Sequence, residues 1–179
     1  MNCIDYYDSP LGGITIAGNG EKITGLWFDG QKYDRLIIKN SEVTEKSLPV
    51  FEMAKHWLDL YFAGEKPDFT PPLAISGSEF RRSVARIMLN IPYGTTMTYG
   101  EIAARIARQM GKEKMSAQAI GGAVGHNAIS LIIPCHRVVG TNGSLTGYAG
   151  GIEKKHWLLE HEGVCLRDGK VIRIRGEAE

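Results

Sequence analysis

The sequence predicts an α+β fold in which a small sheet-plus-helix domain precedes a mostly helical domain. β-rich segments fill residues 2–38, amphipathic helical segments dominate the second half, and a proline-rich stretch at 66–77 separates the two. A chain of 179 residues suits one or two small domains. We therefore expect an amino-terminal domain with its linker at 1–75, a carboxy-terminal domain at 76–165 and a tail at 166–179.

The amino-terminal strands are predicted from short β-rich runs. Ile14–Ala17 and Ile23–Phe28 are such runs, and Asn19-Gly20 between them is typical of a two-residue hairpin loop. Leu36–Ile38 predicts one further strand.

A helix is predicted over 48–63, with Ser47 as its cap and Gly64 at its end. Its apolar face should pack on the sheet; that face consists of Phe51, Ala54, Leu58 and Tyr61. No cluster of titratable groups appears here, so we interpret 1–65 as structural.

Three helices are predicted after the linker. The first spans 78–90, and the capping box Thr98–Glu101 starts the second, which ends near Met110. Ser116 caps the third, over 117–126. This order of helix, loop and short helix is the plan of a winged-helix-like helix-turn-helix, whose second helix enters a nucleic-acid groove.

Glycines make the third helix unusual. Gly121, Gly122 and Gly125 each cost about 0.8–1 kcal/mol relative to alanine inside a helix. Tight packing against another helix would explain them, and so would close approach of nucleic acid.

A last helix is predicted over 152–162, burying Ile152, Trp157 and Leu158. Asp168-Gly169 predicts a short hairpin in the tail.

Charge is divided unevenly along the chain. Residues 1–75 carry a net charge of −4 and residues 76–165 a net charge of +4. The basic half is therefore expected to meet an anionic partner. Candidate phosphate contacts are Arg81, Arg82, Arg105, Lys112 and Lys114.

Composition favours a cytoplasmic monomer without cofactor or metal. Cys3, Cys135 and Cys165 are odd in number and widely spaced, which suits free thiols in a reducing compartment. The sequence contains no CxxC pair, so we expect no structural zinc site. The chain has neither an 18-residue apolar run nor a secretory leader, so we expect no membrane association.

The segment 131–140 carries the most chemistry. Pro134 should end a regular inner strand, and Cys135 would then begin a turn or helix. A thiol is a strong nucleophile only as thiolate, and a neighbouring base lowers its pKa. A small buried cysteine beside a surface His136–Arg137 pair is the alternative.

The run Pro134–Val138 resembles the acceptor-site motif of the O6-alkylguanine-DNA alkyltransferases. The resemblance extends from about Phe80 to Gly163, with a weaker match in the amino-terminal part. It implies a ribonuclease-H-like structural domain at 1–75 and a DNA-binding alkyltransferase domain at 76–165. It also implies repair of double-stranded DNA, in which the alkyl group of O6-alkylguanine or O4-alkylthymine moves irreversibly to Cys135.

The same resemblance implies the catalytic roles. Cys135 is the nucleophile, His136 is the base acting through a water molecule, and Glu162 orients the imidazole. Asn127 ties the recognition helix to the active-site turn, although a plain helix cap is the alternative for this residue. Tyr99 donates its hydroxyl toward the guanine ring.

Substrate-binding residues are implied in the same way. Backbone N–H groups of Val138 and Ala149 bond the extruded base, and Tyr148 walls the pocket. Arg137 belongs to this set through a phosphate contact or, more simply, braces the turn by pairing with a carboxylate or backbone.

The recognition helix contributes the remaining substrate-binding residues. Gly121 and Gly122 face the duplex. Gln118 stands where the family commonly has an arginine that fills the gap left by the base, so base extrusion or affinity should be weaker here.

Two other functions compete with alkyl transfer. A non-catalytic alkyltransferase-like lesion binder lacks the acceptor cysteine, and Cys135 argues against it. A cysteine hydrolase rarely has its cysteine and histidine adjacent in sequence, as Cys135 and His136 are here.

Overall fold

The computed structural model describes residues 2–32 and 42–172, and it has the predicted α+β architecture. A four-stranded sheet has the order β3-β2-β1-β4. The strands β1 and β2 pair antiparallel, as do β2 and β3, whereas β4 runs parallel to β1. Their bounds are Asn2–Ser9 (β1), Gly12–Gly18 (β2), Ile23–Phe28 (β3) and Val43–Glu45 (β4). The predicted strand at Leu36–Ile38 lies outside the described residues.

The predicted hairpin forms, but its loop is 19–22 and not two residues long. The Asn19 side chain accepts hydrogen bonds from the N–H groups of Glu21 and Lys22, at 3.2 and 2.9 Å. Gly20 has φ of +108°, which its missing side chain permits. An Asn-centred turn thus replaces the expected tight turn.

Helix α1 spans Pro49–Phe62 and covers the sheet with the predicted apolar face. Ser47 does not cap it, because the N-cap residue is Leu48 and the Ser47 hydroxyl donates instead to Glu52 at 3.0 Å. Gly64 follows the helix end with φ of +82°.

The linker is extended, as predicted, and lies along the edge of the sheet. Leu73 forms a parallel bridge with Ile23. The N–H of Ile23 donates to Pro72 and the N–H of Ala74 donates to Ile23, both at 2.8 Å. This stretch therefore joins the sheet to the helical part.

The described part of the second half contains four α-helices: α2 Glu79–Leu89, α3 Tyr99–Gln109, α4 Ala117–Gly125 and α5 Ile152–His161. The predicted capping box is present, since Glu101 N–H donates to the Thr98 hydroxyl at 3.1 Å and Thr98 N–H donates to Glu101 at 2.6 Å. Ser116 caps α4 as predicted. Helices α3 and α4 form the predicted helix-turn-helix.

Helix α5 buries a different face from the one expected. Ile152 is 42% exposed, and Trp157 is only half-buried. Leu158 is fully buried as predicted, and Lys155 and Leu159 are fully buried in place of the other two residues. The helix therefore turns a lysine toward the interior.

Short strands complete the fold. β5 (Met97–Thr98) pairs parallel with β6 (Val138–Val139). The tail forms the predicted hairpin from β7 (Leu166–Arg167) and β8 (Lys170–Val171), with φ of +52° at Asp168 and +69° at Gly169.

One hydrophobic core continues across both halves of the molecule. It joins Leu26 of the sheet and Tyr61 of α1 to residues of α2 to α5 and of the segment before Cys135. Leu26 also forms a bridge with Ile129. The residue boundaries of the two domains remain a prediction. Within the described ranges, no helix has the length and apolar character needed to cross a membrane.

Candidate active site

Cys135 begins a single 3₁₀ turn, Cys135–Arg137, directly after Pro134. This agrees with the predicted turn, but the apolar run before it is not an inner strand. Residues 129–133 form buried turns, in which Leu131 adopts φ of +67°. A non-glycine residue in this region is uncommon and is held by its surroundings.

Asn127 holds these buried turns together. Its amide donates to the carbonyls of Ile129 and Ile133, at 3.3 and 2.8 Å, and its oxygen accepts from the N–H of Ile129 at 3.1 Å. The α4 cap residue is His126, so Asn127 is not a plain helix cap. The side chain therefore links the end of α4 to the segment that carries Cys135.

His136 is completely buried and contacts Glu162. Its Nε2 lies 2.6 Å from Glu162 Oε1. An ionised carboxylate only accepts hydrogen bonds, so Nε2 carries the proton. The Nδ1 atom then presents a lone pair, and it is buried without a hydrogen-bond partner among the described residues.

Glu162 lies at the centre of this network, just past the end of α5. Arg137 donates to both carboxylate oxygens, at 2.9 and 3.1 Å. The N–H of Gly94 donates to Oε2 at 3.1 Å, and the hydroxyl of Tyr61 donates to Oε1 at 2.8 Å. Burial alone would raise the pKa of Glu162, but the hydrogen bonds and charges of His136 and Arg137 outweigh it and lower the pKa to about 2.

Gly94 must be glycine at this contact. Its φ is +75°, and an added Cβ would lie 2.9 Å from the backbone oxygen of Glu162. Its backbone therefore approaches the carboxylate where a side chain would block it.

The guanidinium of Arg137 donates its hydrogen bonds to groups inside the protein. Besides Glu162, its guanidinium donates to the carbonyl of Ile91 at 2.6 Å, and the residue is only 7% exposed. The bracing interpretation thus matches the structure, whereas the placement of Arg137 among substrate-binding residues does not, because its donors point into the protein.

Burial favours the neutral forms of both Cys135 and His136. Burial raises the pKa of the Cys135 thiol, although a hydrogen bond from Asn127 and the charge of Lys155 act in the opposite direction. Burial likewise lowers the pKa of His136, against the effect of Glu162. Burial therefore favours the protonated thiol and the unprotonated imidazole, contrary to the expectation that a neighbouring base lowers the pKa of the thiol.

A cavity of about 340 Å³ opens onto Cys135. This volume lies within the range of small-molecule sites, about 300–1,000 Å³. The lining combines aromatic rings with glycines of α4 and of the loop before α5: Tyr99, Tyr148, Gly121, Gly122, Gly125 and Gly147. A flat aromatic ring of a ligand fits such walls.

Three of the residues predicted to bind the base line the cavity, and their polar groups differ in hydrogen bonding. Tyr99 and Tyr148 line the cavity; the Tyr99 hydroxyl donates to the carbonyl of Thr146 at 3.2 Å, and the Tyr148 hydroxyl is buried without a partner in the described part of the chain. Ala149 also lines the cavity, and its carbonyl accepts from the N–H of Lys32 at 2.9 Å.

The prediction for Val138 is wrong. Its N–H closes the 3₁₀ turn by donating to the carbonyl of Cys135 and is therefore not free for a base. The tight turn that carries Cys135 therefore uses this donor internally.

The glycines of α4 face open space. A Cβ added at Gly121, Gly122 or Gly125 would meet no other atom within 4 Å. Helix packing therefore does not explain these glycines, and a close external partner remains as the explanation. Gln118 is exposed at the start of α4, outside the cavity.

Lys155 is a site residue that sequence reasoning missed. Its ammonium group is buried and donates to the carbonyls of Val138, Thr146 and Gly147, at 2.5, 3.2 and 3.1 Å. Burial lowers its pKa to about 8. Its spacing from Leu158, three residues away on the same helix face, was the available signal.

Comparison with known proteins matches this geometry to one family. Residues 3–75 match the ribonuclease-like domain, and residues 79–164 the DNA-binding domain, of 6-O-methylguanine DNA methyltransferase. The chain is 42% identical over 155 residues to the methylated-DNA--protein-cysteine methyltransferase of Mycobacterium tuberculosis H37Rv, covering 87% of this chain and 88% of the relative. The relative from Methanosarcina acetivorans is 43% identical over 160 residues, covering 89% and 97%.

Solved structures agree with the sequence relatives. The M. tuberculosis O6-methylguanine methyltransferase superposes with a TM-score of 0.76 at 42% identity, covering 90% of this chain and 93% of that one. The M. tuberculosis protein in complex with DNA also has a TM-score of 0.76, at 41% identity, covering 89% and 92%. The two family models match both halves of the sequence, and the solved structures agree in fold. The chain therefore belongs to the 6-O-methylguanine DNA methyltransferase family.

Proposed function

We propose that this protein repairs double-stranded DNA by moving the alkyl group of O6-alkylguanine, and of O4-alkylthymine, onto Cys135. The observation that carries the proposal is the buried thiol of Cys135 at a cavity lined by glycines, next in sequence to His136, whose Nδ1 has no hydrogen-bond partner among the described residues. Transfer to a protein cysteine is also the activity for which its relatives are named. We also propose that it acts as a monomer, because the described residues of one chain bring the thiol to the cavity and the histidine to its carboxylate.

The damaged base must leave the duplex to reach the thiol, because the reacting oxygen is otherwise inside the helical stack. Helix α4 supports this step, since its open glycine face allows nucleic-acid backbone or base edges to approach the mouth of the cavity. Gln118, at the exposed start of the helix, enters the space near the vacated stack as an uncharged group.

Proton transfer follows from the protonation states of the free site. The thiol loses its proton through a water molecule to Nδ1 of His136, and the resulting imidazolium faces the Glu162 carboxylate at 2.6 Å. The thiolate attacks the alkyl carbon, an S–C bond forms, and the O–C bond to guanine breaks. Hydrogen-bond donors in the cavity stabilise the departing purine as charge develops on it: the N–H of Ala149, and the Tyr99 hydroxyl once it exchanges the carbonyl of Thr146 for the base.

Basic side chains on the surface of the helical half bind the DNA phosphates. Arg82 is the weakest candidate, because Glu79 and the carbonyl of Gly77 already hold its guanidinium. Arg81, Arg105, Lys112 and Lys114 remain as candidate contacts. Their contribution predicts an affinity that falls with rising salt.

The thioether product is chemically stable, so each molecule acts once. A nucleophilic thiol that must stay reduced suits a reducing compartment such as the cytoplasm.

The test is an incubation of the protein with a duplex oligonucleotide containing O6-methylguanine, followed by mass spectrometry of the intact chain and its peptides. We expect a gain of one methylene on the peptide of Cys135, and no gain in Cys135→Ser. Cys3→Ser and Cys165→Ser serve as matched controls and should behave like the unchanged chain.

Two outcomes would contradict the proposal. Tight binding of the damaged duplex without any mass gain would indicate a lesion-binding protein, and Cys135 already disfavours that function. Alkylation of Cys3 or Cys165 in place of Cys135 would assign the nucleophile elsewhere.

A further inference from the structure

The Tyr61 hydroxyl reaches the active-site carboxylate from the amino-terminal half of the chain. It donates to Glu162 Oε1 at 2.8 Å, across 101 residues of sequence. The residue is completely buried on the inner face of α1. The half of the molecule that sequence alone suggests is merely structural therefore contacts the catalytic network.

Neighbouring rings fix the direction of this hydroxyl. Trp57 stacks on the Tyr61 ring with centroids 5.4 Å apart and an angle of 6°. Tyr93 and His136 meet it edge-on, at 6.0 and 6.3 Å. Rotation of the ring away from Glu162 would collide with these neighbours, so the hydroxyl is held in place.

Tyr61 and His136 share one acceptor atom. Glu162 Oε1 accepts from the Tyr61 hydroxyl and from His136 Nε2, and more weakly from Arg137 at 3.1 Å. Each donor stabilises the ionised carboxylate and withdraws negative charge from the others. The strength of the carboxylate as a partner for an imidazolium therefore depends on whether the tyrosine donates.

We propose that Tyr61 is a positioning residue that moderates the basicity of His136 through Glu162, so that the amino-terminal domain helps to set the pH range of alkyl transfer. The proposal rests on the proposed function and refines it. Without the hydroxyl, Oε1 interacts more strongly with His136, the imidazolium is stabilised, and the base becomes protonated at a higher pH.

Other titratable groups around the network should not cause the expected shift of the acidic limb of the rate profile. Those facing Tyr61, Glu162 or His136 are Cys135, Arg137, Lys155, Tyr93, Tyr148 and His161. Burial raises the pKa of both Tyr93 and Tyr148, and burial leaves Lys155 with a pKa of about 8, so none of these governs the acidic limb. His161 bonds the Tyr61 backbone carbonyl at 2.6 Å, a contact that Tyr61→Phe retains.

The test compares single-turnover transfer from a duplex containing O6-methylguanine between pH 5 and 8, for the unchanged chain and Tyr61→Phe. We expect the acidic limb of the rate profile to move upward by about 0.5–1 pH unit, the order of shift that hydrogen bonding to a charged form produces. On that limb the rate at a given pH then falls by about three- to tenfold, with a change of less than twofold at pH 7.5. Nuclear magnetic resonance titration of His136 should report the same shift directly.

Tyr7→Phe is the matched control. The Tyr7 hydroxyl also bonds a carboxylate of α1, Asp59 at 2.7 Å, but that pair lies away from the active site. It should leave the profile in place. Equal acidic limbs for Tyr61→Phe and the unchanged chain would overturn the inference, as would a uniform loss of rate at every pH. Absence of transfer by the unchanged chain would instead refute the proposed function.

Discussion

Glu162→Gln tests the central carboxylate with almost no change of shape. The substitution removes the negative charge that faces Arg137 and His136 in the interior. It also places an amide N–H₂ where donors already converge on both oxygens. Some of these donors then lose their acceptor in a buried site, which is the costly way to break an ion pair.

The magnitude follows from the carboxyl titration. The pKa of Glu162 falls from 4.5 to about 2, and at 1.36 kcal/mol per unit this corresponds to about 3 kcal/mol of stabilisation. Breaking a buried pair costs about 3–5 kcal/mol in other proteins. We therefore expect Glu162→Gln to lose about 3–5 kcal/mol of unfolding free energy at pH 7.

The pH dependence gives an independent check of sign. The folded-state pKa lies below the unfolded value, so the stabilisation is complete above pH 4.5 and is lost as the pH falls toward 2. The difference in unfolding free energy between the unchanged chain and Glu162→Gln should thus be constant near neutrality. Below pH 4.5 it should shrink by about 1.4 kcal/mol per pH unit.

Urea unfolding followed by tryptophan fluorescence measures both quantities. Glu160→Gln is the control, because Glu160 is an exposed glutamate of the same helix that pairs with His156 at 3.3 Å, and its loss should change stability by less than about 0.5 kcal/mol. A loss below about 1 kcal/mol for Glu162→Gln, or a difference that does not change with acid pH, would refute this reasoning.

Further predictions concern the DNA-facing helix and the buried lysine. Gly122→Ala should raise the free energy of unfolding by about 0.5–1 kcal/mol, because a Cβ there meets no atom, and should weaken duplex binding in a fluorescence-anisotropy titration. Gln118→Arg should tighten binding to damaged duplex in the same titration, because a longer, charged side chain at this position fills the gap left by the extruded base more completely; an unchanged affinity would mean that residue 118 does not enter that gap. Lys155→Met should lower the free energy of unfolding in urea by roughly 2–4 kcal/mol and slow alkyl transfer, because it leaves the carbonyls of Val138, Thr146 and Gly147 without their donor; a fully active, equally stable variant would contradict this.

Local features of the fold were predictable because their causes are local. The Thr98–Glu101 capping box, the Ser116 cap and the hairpin at Asp168-Gly169 each depend on residues within a few positions of one another. Pro134 likewise marks the start of the active-site turn, since its ring restricts the backbone wherever it occurs. The acceptor motif and the fold class could be predicted from the sequence for the same reason.

Longer-range features depended on packing that the sequence does not display. The apolar run before Cys135 has the composition of a strand, yet Asn127 holds it as buried turns. The face of α5 was misjudged because Lys155 finds buried carbonyl partners on other segments, which makes its burial favourable.

The sequence by itself determined the α+β class and the helix-turn-helix, and it placed the proposed nucleophile Cys135 next to His136. The tertiary structure alone decided what surrounds them: Gly94, Arg137 and Tyr61 converge on Glu162 from three separate segments. The physical reason is that hydrogen bonds and burial join atoms that are close in space, and chain separation of 101 residues leaves no periodic signal from which to infer the contact.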